Sequence, residues 1–277
     1  MSGNRRSTAD RRRAPLLSVI TPTFNEAENV EPLLDALGAA LSDVSHEIIV
    51  VDDDSPDRTW ERAETYAATH PTVRVLRRFS DHGLSSAVMA GMEASVGRVI
   101  AVIDADLQHD ERVLPQMVDK ITSGEADIVV GTRGAEGGSY GSWGAGRRLV
   151  SFVAATIARV FLRVGTSDPM SGFFAISRDA YRRTAPQVNP QGFKILLEFI
   201  GRGHSLKLAE VGYEFRNRVH GETKMSPSII RSYLLAVSEL RFGRQVKGQF
   251  FLYSLVGASG VAVNLAVFGL FELLGLG

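Results

Sequence analysis

The chain has no cysteine among its 277 residues and two tryptophans, Trp60 and Trp143. Without cysteine there are no disulfide staples and no thiolate metal sites, which suits a reducing compartment. An excess of one charge is also missing. Lys plus Arg total 31 and Asp plus Glu total 31, so no global field draws the chain to nucleic acid. Gly-x-Gly-x-x-Gly and Walker-type Gly-Lys-Ser/Thr signatures are absent, which argues against a dinucleotide enzyme or a P-loop NTPase. No internal repeat is visible. What is present is 44% hydrophobic and 22% charged, enough for one large α/β domain and a smaller part.

The two ends differ from the middle. Residues 1–14 hold Arg5, Arg6, Arg11, Arg12 and Arg13, followed by a short apolar stretch without a cleavage-like end. This reads as a disordered basic arm rather than a signal peptide, with contact to anionic lipid as the alternative. From Gly248 to Phe271 no residue is charged. A bilayer core needs about 20 such residues, so 248–277 is expected to be a transmembrane segment. Arg241, Arg244 and Lys247 precede it, which by the positive-inside rule places the preceding domain on the cytoplasmic side. Before it, 226–247 carries Ile230, Leu234, Val237 and Leu240 on one face, an amphipathic helix suited either to the membrane interface or to a core.

Strand and helix signals alternate through the first half and predict βαβ units with a mainly parallel sheet. Leu17-Ser18-Val19-Ile20, Ile48-Ile49-Val50-Val51 and Val99-Ile100-Ala101-Val102-Ile103 are apolar runs of the buried-strand type. Each ends in polar residues. Helices are expected at Glu28 to Leu41, from Ser55-Pro56, at Ser85 to Ala94 and at Val113 to Ile121. Further strands are expected at Val73 to Leu76, Ile128 to Val130 and Phe173 to Ile176. Val211, Tyr213 and Phe215 alternate with Gly212 and Glu214 as a half-buried strand. Gly134 to Gly146 holds six glycines in thirteen residues and reads as a loop.

The sharpest signal is Asp104-Ala105-Asp106-Leu107-Gln108 at the end of one apolar run. Ligands of open α/β sheets collect at the carboxyl ends of strands. Two carboxylates and an amide oxygen at alternate positions there form a hard-oxygen set suited to Mg²⁺ or Mn²⁺, ions that also hold substrate phosphates. A solvated Asp-rich turn is the alternative. Asp52-Asp53-Asp54-Ser55 and Pro22-Thr23-Phe24-Asn25-Glu26 end the other two runs, so three strand ends deliver polar groups to one edge.

These pieces resemble a specific family. Pro22 to Glu26, Asp52 to Thr59, Asp104 to His109, Gly131-Thr132-Arg133, Ser171-Gly172-Phe173, Gly192 to Glu198 and Arg216 to Lys224 run in order along the chain. The ordered series is similar to family 2 glycosyltransferases of GT-A fold, and within them to dolichol- or polyprenol-phosphate mannosyltransferases. The resemblance implies a Rossmann-like α/β catalytic domain over 15–225, followed by interfacial helices and a C-terminal transmembrane helix. It also implies that 248–277 starts a small multi-helix membrane domain.

The resemblance assigns roles residue by residue. Asp104, Asp106 and Gln108 hold the divalent ion, with Asp104 alternatively nearer the ribose. Pro22, Phe24, Glu26 and Asp53, with Asp52 as a further candidate, contact base and ribose of a nucleotide-sugar donor; a helix-start cap is the alternative for the two aspartates. Phe24 stands where Tyr is commoner, so stacking is kept and a hydroxyl bond lost. Arg133 and Arg147 match arginines near the phosphates. Arg216, Arg218 and Lys224 match the acceptor-phosphate cradle, with Thr223 in place of Ser. His109 reads as a surface histidine, and Glu198 as a structural or arginine-orienting carboxylate rather than a general base.

Charge distinguishes two kinds of acceptor. A hydroxyl acceptor usually needs a carboxylate base, whereas a lipid monophosphate, with a second pKa of about 6, arrives ionised and needs cations instead. With Arg216, Arg218 and Lys224 as that cradle, the resemblance implies an inverting, metal-dependent transfer of a hexose onto dolichyl or polyprenyl phosphate, most simply mannose from GDP-mannose. UDP-glucose is the rival donor. A catalytically idle nucleotide-binding membrane scaffold is the rival class. A processive polysaccharide synthase is disfavoured because Gln-x-x-Arg-Trp is missing.

Overall fold

A computed structural model describes residues 14–134, 165–190, 194–203 and 205–216, with isolated positions elsewhere. The chain alternates β1 (Leu17–Thr23), α1 (Val30–Ala40), β2 (His46–Asp52), α2 (Thr59–Ala67), β3 (Val73–Arg77), α3 (Leu84–Ala94), β4 (Val99–Val102), α4 (Leu114–Thr122) and β5 (Ile128–Thr132). Then follow β6 (Phe174–Ser177), α5 (Arg178–Thr184), α6 (Ile195–Arg202) and β7 (Leu208–Gly212). The strands form one sheet in the order β3-β2-β1-β4-β6-β5-β7. Every pairing is parallel except those of β6, which lies antiparallel between β4 and β5.

The continuous apolar character of the strands follows from burial on both faces. Adjacent residues of β1 feed opposite cores: Val19 packs with α1 and α4, Ile20 with α3. On the first face, Leu33, Leu34 and Leu37 of α1 meet Met117 and Val118 of α4. On the second, Ala87, Val88 and Met92 of α3 meet Leu196, Leu197 and Phe199 of α6. With helices on both faces, the carboxyl edge of the parallel strands is left as the place for a site.

Several expectations shift. The helix expected from Ser55-Pro56 begins at Thr59, because Ser55 and Asp57 are used to strap a neighbouring loop. The alternation at Val211, Tyr213 and Phe215 is real, and all three are buried, but the paired strand is β7, centred further back. Within 226–247, the described Val237 is fully buried in the second core, and Leu240 packs against it and beside Gly201 of α6. At those positions the apolar stripe covers the domain rather than a membrane interface. Among the described residues no helix is long and apolar enough to cross a membrane. Most of the expected span at 248–277 and most of the loop of 134–146 lie outside the described residues.

Gly131, next to last in β5, lies against the fully buried ring of Phe173; a Cβ there would stand 2.5 Å from Cδ1 of that ring. Gly131→Ala is therefore an overpacking change and is expected to cost about 1–3 kcal/mol. Gly38→Ala, on the exposed face of α1 with nothing near its Cβ, should instead stabilise by about 0.5–1 kcal/mol. Thermal unfolding followed by circular dichroism reads both; equal midpoints for the two variants would contradict this packing.

Candidate active site

The carboxyl edge of β1, β2 and β4 opens into a cavity of about 540 Å³ lined by Pro22, Phe24, Glu26, Asp53, Asp104 and Asp106 among others. The sequence motifs from three strand ends thus meet in one place. Phe24 is 56% exposed at this site, an aromatic face open to a ligand.

The loop after β1 is shaped by the loop after β2. Backbone N–H groups of Asn25, Glu26 and Ala27 donate to Ser55 Oγ (3.1 Å), Thr59 Oγ1 (3.0 Å) and Asp57 Oδ2 (3.0 Å). Asn25 sits at φ 59°, a region that Asn tolerates better than most residues. Asn29 donates to Glu26 Oε2 at 2.6 Å and orients that carboxylate. The run Ser55 to Thr59 therefore works as a strap holding Phe24 and Glu26 in place.

Asp52 and Asp53 part company. Asp52 is fully buried and accepts from Ser55 N, Ser55 Oγ and Thr23 Oγ1 at 2.7–2.8 Å. Its expected alternative as a base contact gives way to holding two loops together, because its acceptor sites are turned inward. Asp53 lines the cavity and accepts from Gly83 N at 2.6 Å, with Arg78 Nη1 3.2 Å from its other oxygen. It thereby pins the segment of His82, Gly83 and Leu84, which forms another wall of the cavity. The sequence reading missed these three residues. Gly83, at φ 142° just before α3, was the available signal.

At the end of β4, Asp104 and Asp106 both line the cavity. A Cβ on Gly172 would collide with the Asp104 carboxylate, so the glycine of Ser171-Gly172-Phe173 makes room for that side chain. Leu107 takes φ 59°, costly for a branched residue, and Gln108 N donates to Asp106 Oδ1 at 3.2 Å across this turn. Gln108 Nε2 donates to the carbonyl of Arg216 at 3.2 Å, leaving Oε1 as the acceptor end of that amide. Among the described residues no three His, Cys, Asp or Glu side chains form a metal cage. Two carboxylates and one amide oxygen do fit Mg²⁺ or Mn²⁺, which bind through one or two carboxylates and fill the remaining positions with water and phosphate.

His109 corrects the surface expectation. It is 6% exposed, ringed by Phe173, Tyr213 and Phe215, with Nδ1 2.6 Å from the Tyr213 hydroxyl and Nε2 3.4 Å from Asp104 Oδ2. Burial pushes the Tyr213 phenol well above its ordinary pKa, so it stays protonated.

The arginines are placed differently from one another. Arg133 Nε donates to Asp168 Oδ2 at 2.9 Å, and its guanidinium lies over Phe215, so it ties the end of β5 to 165–168. Arg216, expected in the acceptor cradle, instead donates to Glu111 Oε2 at 2.8 Å and Asp110 Oδ1 at 3.0 Å. Its backbone N–H also donates to the Gln108 carbonyl at 2.9 Å. Hydrogen bonds from Arg112, with Arg216 adding its charge, hold the Asp110 carboxyl below the usual carboxylate range. Arg216 thus fastens the Gln108 turn to the segment after β7. Glu198 is buried and accepts from Arg202 Nε at 2.6 Å and Asn189 N at 3.0 Å, a structural carboxylate. Arg147, Arg218 and Lys224 lie outside the described residues.

Comparison with known proteins agrees with this geometry. The family described as Glycosyl transferase family 2 matches residues 18–184. A dolichol-phosphate mannosyltransferase of Pyrococcus furiosus is 40% identical over 94% of this chain and 73% of its own length. A protein of the same name from Saccharomyces cerevisiae is 35% identical over 80% of this chain and 86% of its own. An undecaprenyl-phosphate mannosyltransferase of Micrococcus luteus is 32% identical over 79% and 91%. The fold matches a crystal structure of glucosyl-3-phosphoglycerate synthase from Mycobacterium tuberculosis with Mn²⁺, UDP and glucosyl-3-phosphoglycerate. The TM-score is 0.61 at 19% identity, covering 82% of this chain and 80% of that one. That likeness establishes a GT-A fold, and the family match spans more than half of the sequence: the chain belongs to glycosyl transferase family 2.

Proposed function

We propose that the protein transfers mannose from GDP-mannose to a polyprenyl phosphate with inversion at the anomeric carbon. The observation that carries the reading is the cavity that brings Phe24, Glu26, Asp53, Asp104 and Asp106 together at the carboxyl edge of the sheet. Phe24 offers a face for the base, Asp53 and Glu26 offer acceptors for base and ribose, and Asp104, Asp106 and Gln108 would hold Mg²⁺ or Mn²⁺. The ion, when bound, neutralises the charge that develops on the leaving diphosphate. The names of the relatives support a polyprenyl-phosphate acceptor and mannose. The rival donor is UDP-glucose.

The chain's own residues then have a limited task. The acceptor phosphate is already ionised near neutral pH, so its oxygen attacks without a base. Arg218 and Lys224, with Arg147, supply the cations that hold it, arginine through two parallel bonds. Arg216 acts from behind, by fixing the turn of Gln108 and the start of the cradle segment. The apolar stretch within 248–277 anchors the catalytic domain to the membrane on the cytoplasmic side.

Incubation with short polyprenyl phosphate and a panel of nucleotide sugars should give a mannolipid from GDP-mannose and none from the free prenol. Arg218→Ala or Lys224→Ala removes a charge-assisted bond worth roughly 1.5–3 kcal/mol. The acceptor kcat/KM should fall about tenfold to more than a hundredfold, with donor affinity little changed. Equal glycosylation of free prenol, or loss confined to donor binding, would sink this acceptor assignment.

The membrane orientation has its own check. In intact inverted vesicles, protease should cut within 134–146 without detergent. Cleavage seen only after detergent would reverse the orientation.

A further inference from the structure

His109 stands behind Asp104 and the proposed reaction gives it no task. Its two ring nitrogens face different groups: the Tyr213 hydroxyl at 2.6 Å and Asp104 Oδ2 at 3.4 Å. Tyr213 is 2% exposed, and among the described residues His109 is the hydrogen-bond partner of its hydroxyl. If Nδ1–H donated to the phenol oxygen, the phenol proton would be buried without an acceptor, the costlier arrangement. The hydroxyl therefore donates to Nδ1, and in the neutral ring the proton resides on Nε2. That nitrogen faces a carboxylate, which requires a donor. Both ends select the same tautomer.

Asp104 is held from the opposite side as well. Its carboxylate fills the space over Gly172 that a Cβ would take, while 29% of the side chain remains exposed toward the cavity. The three aromatic rings around His109, with centroids 5.3–5.7 Å away, fix the plane of the imidazole. The arrangement matches the general way in which a second group orients a ligand carboxylate or histidine.

We infer that Tyr213 and His109 are positioning residues: Tyr213 fixes the Nε2–H tautomer of His109, and His109 holds the Asp104 carboxylate in the orientation that meets the metal and diphosphate of the donor. The inference rests on the donor reading given above. Neither residue touches the reacting atoms. Tyr213 comes from just beyond β7 and His109 from just beyond β4, so the contact also links the carboxyl ends of two separated strands.

Two measurements test it. Long-range proton–nitrogen NMR of ¹⁵N-histidine-labelled protein reads the tautomer, with the His109 signals assigned by their loss in His109→Gln. The expected parent has a proton-free Nδ1 and a protonated Nε2, and Tyr213→Phe, nearly isosteric, should move the ring to a mixture. Calorimetric titration of GDP with Mn²⁺ is the second. His109→Phe should lower affinity about 10- to 100-fold. His109→Gln, whose amide N–H can replace Nε2–H, should recover most of it, and Tyr213→Phe should lose about two- to tenfold. Thermal unfolding of each variant reports whether the fold is kept. A simple packing role predicts the reverse ranking, with Phe tolerated better than Gln. That ranking, a parent protonated on Nδ1, or unchanged affinity in all three variants overturns the inference. Failure of the parent to bind GDP with Mn²⁺ overturns the donor reading instead, and the tautomer measurement then decides the relay by itself.

Discussion

Carboxylates of like charge must be held close together at one edge of one sheet, and most of the local structure serves that requirement. Glu26, Asp53, Asp104 and Asp106 line a single cavity, and a nucleoside diphosphate would bring more negative charge into it. Coulomb repulsion between such groups grows as water is excluded, so each carboxylate needs a fixed donor and the site needs a cation. Asn29 serves Glu26, Gly83 N–H serves Asp53, and the Gln108 N–H serves Asp106. The left-handed turn at Leu107 lies between Asp106, which lines the cavity, and Gln108.

The proposed donor and acceptor sides are joined through the backbone. Gln108 and Arg216 exchange a backbone bond and a side-chain bond, while the Arg216 guanidinium grips Asp110 and Glu111. The segment that carries Arg218 and Lys224 therefore starts from the same fastening that fixes a proposed metal ligand. An ion pair so placed contributes geometry more than stability, since partly buried pairs offset much of their attraction by desolvation.

The sheet and the cavity were legible in the sequence because buried parallel strands write themselves as uninterrupted apolar runs, and the polar residues closing each run mark the ligand edge. Adjacent aspartates were not separable. Asp52 and Asp53 differ in which way the strand end turns them, inward to Thr23 and Ser55 or outward to the cavity, and composition carries no trace of that. His109 and Arg216 failed for another reason: their partners lie more than a hundred positions away, at Tyr213 for one and at Asp110 and Glu111 for the other. Local pattern registers a polar residue after a strand as exposed. The stripe of Val237 and Leu240 shows the same limit, since one amphipathic pattern serves a membrane surface and a second core equally well.

On the proposed reading, a divalent cation makes this acidic cavity a nucleotide site. Calorimetric titration of GDP into the protein, with Mg²⁺ or Mn²⁺ and again with excess chelator, tests it most directly. Binding is expected with the metal, with loss of that binding in chelator and clear weakening in Asp106→Asn with the fold intact. The same affinity in chelator as in metal would contradict it.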